Sequence, residues 1–145
     1  MGHVLIVYAS RTGETEAIAN LIAEGVRIAG HEATVIKTDG IKKEQELENF
    51  DALVLGSATY HGEMMQGMKT LLFMAEKANL EGKIGGAFGA FGWSGEAPLR
   101  IFNTMLNIYK MNMVSGPLML KSGKLAGGIQ MAQQYGRDVA TKILS

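Results

Sequence analysis

The sequence predicts an α/β domain of three layers: a five-stranded parallel sheet with helices on both faces. Short, nearly unbroken apolar runs recur along the chain, as in strands covered on both sides. They alternate with segments whose apolar residues repeat at helical spacing. No linker, internal repeat or low-complexity tract interrupts the alternation, so residues 1–145 read as one domain. At 145 residues and 47% hydrophobic content, the chain is long enough to bury a core of its own.

The elements follow in order. Val4-Leu5-Ile6-Val7-Tyr8 is the first strand. From Gly13 onward Ile18, Leu21, Ile22, Gly25, Val26 and Ala29 mark a helix that Gly30 ends, where positive φ is useful. Ala33-Thr34-Val35-Ile36 is a short second strand, and the polar stretch 38–49 a connection with room for one helical turn. Ala52-Leu53-Val54-Leu55-Gly56 is the third strand. After a loop, Met64, Met68, Leu71, Leu72 and Ala75 form one helical stripe. Residues 83–90 make a fourth strand thinned by Gly85, Gly86 and Gly89. Pro98 suits a helix start, its missing N–H costing nothing there, and that helix runs towards Lys110. Pro117-Leu118-Met119-Leu120 is the fifth strand, and 125–144 the last helix.

Composition removes several classes of function. Fourteen basic residues balance fourteen acidic ones without any basic run, which argues against nucleic-acid binding. Zero cysteines exclude disulfides, thiolate metal sites and thiol catalysis, and three isolated histidines offer no metal-ligand spacing. No apolar run is long enough to span a bilayer, and the start lacks the charged region of a secretory signal, so the cytoplasm is the expected location.

Ligands of open parallel sheets bind beyond the carboxyl ends of strands. Three loops there, 10–15, 57–63 and 90–96, are rich in glycine, hydroxyls or aromatics. In the first, Ser10, Thr12 and Thr15 offer hydroxyls, Gly13 clears space, and the helix start adds unpaired N–H groups and partial positive charge, the needs of a phosphate. Arg11 is a possible helper. Taken alone, the loop fits equally an ordinary helix cap by Thr12. The other loops, "SATYHGE" and "AFGWSGE", bring Tyr60, Phe91 and Trp93 among glycines, suited to stacking on a flat heteroaromatic ring. Together the three loops point to a phosphorylated flavin.

"SRTGETEAIA" resembles the phosphate loop of flavodoxins, "GSATY" with "HGE" their second flavin loop, and "AFGAFGWSGEA" the flavodoxin-like domain of flavodiiron proteins. The resemblance spans nearly the whole chain and implies strand order 2-1-3-4-5, bound FMN and electron transfer; the diiron domain is not in the sequence. Carried over by position, Ser10, Arg11, Thr12, Gly13, Glu14 and Thr15 wrap the phosphate. Ser57, Ala58, Thr59, Tyr60, His61 and Gly62 line the ring, with Tyr60 stacking. Ala90, Phe91, Gly92, Trp93 and Gly95 cover its other side and pyrimidine edge. His61-Gly62-Glu63 departs from the family's usual Gly-Asp, which shifts the peptide turn-over there to Gly62 or weakens it.

The expected function is a one-electron shuttle with no catalytic side chain and no metal, a carrier rather than an enzyme acting on a small substrate. Glu63 and Glu96 are candidates for negative charge that would depress the potential of the reduced ring. Partners are redox proteins, a reductase or a diiron or iron–sulfur acceptor, with no nucleic acid and no membrane insertion; the chain is a monomer or weak homodimer. An apolar rim of Tyr60, Met64 and Met65 is the expected docking contact. The alternative is an NAD(P)H:quinone reductase-like enzyme. A receiver domain lacks its acids here, and neither G-x-S-x-G nor a Walker loop occurs.

Overall fold

The computed structural model describes residues 2–60, 63–91, 96–121 and 128–144. In chain order the elements are β1 (His3–Ala9), α1 (Glu14–Ile28), β2 (Glu32–Lys37), β3 (Ala52–Ser57), β4 (Thr59–Tyr60), β5 (Glu63–Met64), α2 (Gln66–Ala75), β6 (Ile84–Phe91), α3 (Glu96–Asn107), β7 (Asn112–Met113), β8 (Leu118–Lys121) and α4 (Ile129–Leu144). The main sheet runs β2-β1-β3-β6, and β7 and β8 both pair with β6. All of these pairings are parallel.

The fold is the expected three-layer one, with the fifth position of the sheet filled by two short strands. β7 pairs with Ile84 and Gly85, and β8 with 88–91. Between them Ala87 donates its N–H to the Tyr135 hydroxyl of α4 (3.0 Å), which stands in for the missing strand bond. A Cβ at Gly86 would crowd that same ring. The glycines that thin β6 therefore make room for large neighbours.

Alternation along β1 divides the core. Leu5 and Val7 face α2 and α3, where Leu53, Leu55, Met68, Leu71, Ile101 and Met105 complete one cluster. Val4, Ile6 and Tyr8 face α1 and α4, with Ile18, Ile22, Val54, Phe88 and Val139 in the other. Burial on both faces explains the unbroken apolar run of β1. The helices α1 and α4 cross almost backbone to backbone: a Cβ at Gly25 would strike the Gln133 carbonyl, and one at Gly136 that of Ile22.

Helix α1 ends as its sequence suggests. Gly30 has φ 91°, and the bonds Gly30 N–H to Arg27 carbonyl and His31 N–H to Val26 carbonyl make a Schellman motif. Other expectations change. The connection 38–49 holds two 3-10 turns, Thr38–Gly40 and Glu44–Leu47. Helix α2 begins at Gln66, so Met64 belongs to the β4–β5 hairpin and not to the helical stripe. Helix α3 stops at Asn107, short of Lys110, and the described part of α4 starts at Ile129.

Candidate functional site

Strand β1 delivers the chain to the carboxyl rim of the sheet, where loop 10–15 turns into α1. Gly13 occupies the N-cap position with φ 94°, and its N–H donates to Ser10 Oγ (2.8 Å). No side chain caps α1. The Thr12 cap is thus not formed. Thr15 is 1% exposed, and its Oγ1 is buried without a hydrogen-bond partner. An orphaned buried hydroxyl is costly in a folded chain and signals a missing partner.

Arg11, Thr12, Glu14 and Thr15 line a cleft of about 200 Å³ together with Ala58, Thr59 and Ala90. The three expected loops therefore meet there. Ala58 N–H bonds the Ala9 carbonyl (3.1 Å), which ties the first two loops together. A Cβ at Gly89 would collide with the Ser57 carbonyl and with Pro98, so glycine lets β6 close on β3 below the cleft. Thr59 Oγ1 accepts the Ala97 N–H (3.2 Å) and anchors the hairpin to the first turn of α3.

Ser57, expected along the ring, is fully buried. Its hydroxyl donates to the Ala58 carbonyl and accepts the Met65 N–H, each at 2.9 Å, so it shapes the loop from beneath. Tyr60 and Phe91 end β4 and β6 at the rim. His61, Gly62, Gly92, Trp93 and Gly95 lie outside the described residues.

The electrostatics differ from expectation at Glu63. Its carboxylate pairs with Lys69 (2.5 Å) and with Arg100 (2.6 Å). The Lys69 hydrogen bond, then the Arg100 charge, holds its carboxyl below the usual range. Glu63 is therefore neutralised and supplies no free negative charge to the cleft. Lys69 and Arg100 were not foreseen: Arg100 lies 37 positions away, and no local pattern links the three. Glu96 differs, for its Oε2 is the other buried side-chain atom without a partner among the described residues. Tyr8, at the end of β1, has its pKa raised by burial and by the adjoining Glu16 carboxylate.

The expected docking rim also changes. Met64 is buried and Met65 half-buried against the core, so both are packing residues. His31 is buried and accepts the Gly2 N–H (2.7 Å), a structural role. Among the described residues no cluster of His, Asp and Glu is placed to hold a metal, and no helix is long and apolar enough to cross a membrane.

Residues 6–121 match the family model described as flavodoxin. A flavodoxin of Clostridium saccharobutylicum is 33% identical over 129 residues, covering 86% of this chain and 76% of that protein. A solved flavodoxin from the domain Archaea superposes with a TM-score of 0.92 at 30% identity, covering 99% of both chains. A flavodiiron core from Synechocystis superposes with a TM-score of 0.90 at 25% identity, where 98% of this chain covers 36% of that one.

Proposed function

The chain belongs to the flavodoxin family of FMN-binding electron-transfer proteins, and on that premise we propose how its own residues hold the cofactor. FMN, when bound, supplies reversible one- and two-electron chemistry; the protein supplies binding, orientation and electrostatics. The phosphate is held by loop 10–15: the hydroxyls of Ser10, Thr12 and Thr15, the backbone amides at the start of α1, and the Arg11 charge. The single observation that carries this reading is the Thr15 hydroxyl, buried at the helix start with no acceptor of its own. Residues 58–62, with Tyr60 stacking, flank the ring on one side, and Ala90, Phe91, Gly92, Trp93 and Gly95 on the other. Ser57 and Thr59 fix the height of the first wall through their bonds to Met65 and Ala97.

Of the two acids expected to act on the ring electrostatically, Glu96 is the one left, because Glu63 is occupied by Lys69 and Arg100. The protein works as one cytoplasmic electron-carrying domain between a donor reductase and an iron-containing acceptor. Similarity to a flavodoxin over 99% of both chains does not favour the NAD(P)H:quinone reductase alternative.

Titration of the apoprotein with FMN and with riboflavin tests the assignment, because the two differ only in the phosphate. FMN is expected to bind at least ~100-fold more tightly, since two charge-assisted hydrogen bonds at ~1.5–3 kcal/mol each exceed that ratio. Equal binding of the two would remove the phosphate site, and micromolar FMN leaving the protein colourless would remove the whole reading.

A further inference from the structure

We propose that Lys69 and Arg100 are positioning residues for the cofactor ring: through Glu63 they hold the β4–β5 hairpin at the cleft and so set the potential of the bound flavin. The proposal rests on the electron-transfer reading above, with Tyr60 as the stacking residue. The hairpin consists of two backbone pairs, Thr59 with Met64 and Tyr60 with Glu63. A two-stranded piece that short has little stability of its own. Its place therefore depends on what ties it to the rest of the domain.

The base of the hairpin is tied by two bonds, Met65 N–H to Ser57 Oγ and Ala97 N–H to Thr59 Oγ1. Its outer end is tied through the Glu63 carboxylate. Oε1 takes Arg100 Nη1 at 2.6 Å, and Oε2 takes Lys69 Nζ at 2.5 Å. Lys69 lies in the first turn of α2, and Arg100 at the start of the second turn of α3. Each cation is next in sequence to a fully buried residue, Met68 or Ile101, and these two belong to one core cluster. The cations thus spring from fixed helices. With both oxygens engaged from two different helices, the carboxylate can neither rotate nor swing freely. Tyr60 is the backbone partner of Glu63 across the hairpin, so what fixes Glu63 also fixes the residue proposed to stack.

The three side chains are 40–56% exposed. Exposed ion pairs contribute modestly to a whole fold, but the same restraint is large beside the stability of two strand pairs. Its effect on the cofactor has a definite sign. Stacking favours the flat oxidised ring over the reduced ring, which bends. A released hairpin therefore loosens oxidised FMN more than reduced FMN, and by linkage the potential rises. Direct charge effects differ in sign between the partners. Removing the Glu63 charge raises the potential of a ring that gains negative charge on reduction, whereas removing a cation lowers it. The two cation variants therefore separate positioning from plain electrostatics.

Wild type, Arg100→Ala, Lys69→Ala, Glu63→Gln and the double variant Glu63→Gln/Arg100→Ala provide the test. Each is first titrated with FMN; failure of the wild type to bind overturns the electron-transfer reading and is seen apart from failure of the clamp. In the apoproteins, amide exchange at Thr59, Tyr60, Glu63 and Met64 is expected to be severalfold faster in every variant, with the α1–α4 crossing unchanged. The midpoint potential, measured against a reference dye, gives the ratio of reduced to oxidised FMN dissociation constants. That ratio is expected to fall about 2- to 5-fold in each single variant, the range of an exposed ion pair, and no further in the double variant than in Glu63→Gln. The preference for FMN over riboflavin stays within about 2-fold of wild type, because the phosphate loop is untouched. A potential lowered by Arg100→Ala and Lys69→Ala but raised by Glu63→Gln would show three independent charges and overturn the proposal. So would additive shifts in the double variant, unchanged potentials, or hairpin amides that exchange at wild-type rates in the apoproteins.

Discussion

The hydroxyl of Thr15 is a polar atom left unsatisfied where the fold buries it, and that gives it two measurable signatures of opposite sign. Thr15→Val keeps the shape and removes the oxygen. Loss of one charge-assisted hydrogen bond, worth ~1.5–3 kcal/mol, raises the FMN Kd by ~10-fold or more. The apoprotein is expected to hold or gain stability in urea, because the variant no longer buries an unpaired hydroxyl. A purely structural threonine would show the reverse pattern, with the apoprotein weakened and FMN affinity unmoved. Glu63 gives a residue-level prediction in pH. Its folded-state pKa is depressed, so its contribution is present above the ordinary carboxylate range and lost as pH falls through the depressed value. The difference in urea midpoint between wild type and Glu63→Gln should be constant from pH 7 down to about 5 and disappear in strong acid. A difference that persists at the lowest pH would mean that the ion pairs are not its source.

At the scale of elements, helix packing and the split edge strand set the predictions. Gly136→Ala puts a methyl group into the Ile22 carbonyl across the α1–α4 crossing. Overpacking of this kind costs about 1–3 kcal/mol, read as a lower urea midpoint, even though alanine alone favours a helix over glycine. Tyr135→Phe leaves the Ala87 N–H buried without its acceptor and is expected to cost about 1–3 kcal/mol. Burial raises the Tyr135 hydroxyl to about 12, so its share of stability is complete below pH 10 and drains away as pH climbs towards that value. In the phenylalanine variant that alkaline loss is correspondingly smaller. These elements also mark what the sequence made legible. β1, α1, β3 and β6 were readable because period and burial coincide in them, and Gly30 declared the end of α1. Strand β7 was not: Asn112 and Met113 are too short a run to carry a period, and their pairing with Ile84 and Gly85 arises only in three dimensions. Met64 fitted the helical stripe at i−4 from Met68, yet the β4–β5 pairing holds it outside the helix. At the site, the glycine- and hydroxyl-rich loop 10–15 that lines the cleft stood out by residue type and spacing, whereas Ser57's inward turn and the pairing of Glu63 with Arg100 depend on long-range contacts.

For the whole molecule, the question is whether the cofactor site and the fold are one cooperative unit or two. Both core clusters are built from side chains buried along the length of the sheet. Among the described residues the cleft is lined at the sheet's carboxyl rim, by Arg11, Thr12, Glu14, Thr15, Ala58, Thr59 and Ala90. The apoprotein should therefore keep its sheet and helices, with FMN adding stability by mass action alone: about 2.7 kcal/mol when free FMN stands at 100 times its Kd. Amide exchange gives that expectation a spatial form. On FMN addition, protection should rise at 10–15, 58–60 and the start of α3. The central amides of β1 and the α1–α4 crossing should keep the rates they have without FMN, measured where exchange proceeds by local opening. If protection instead rises uniformly along the chain and far-UV ellipticity grows with it, FMN is folding the protein rather than filling a finished cleft. The burial of Thr15 would then be a feature of the loaded state alone, and the separation between core and rim would fail.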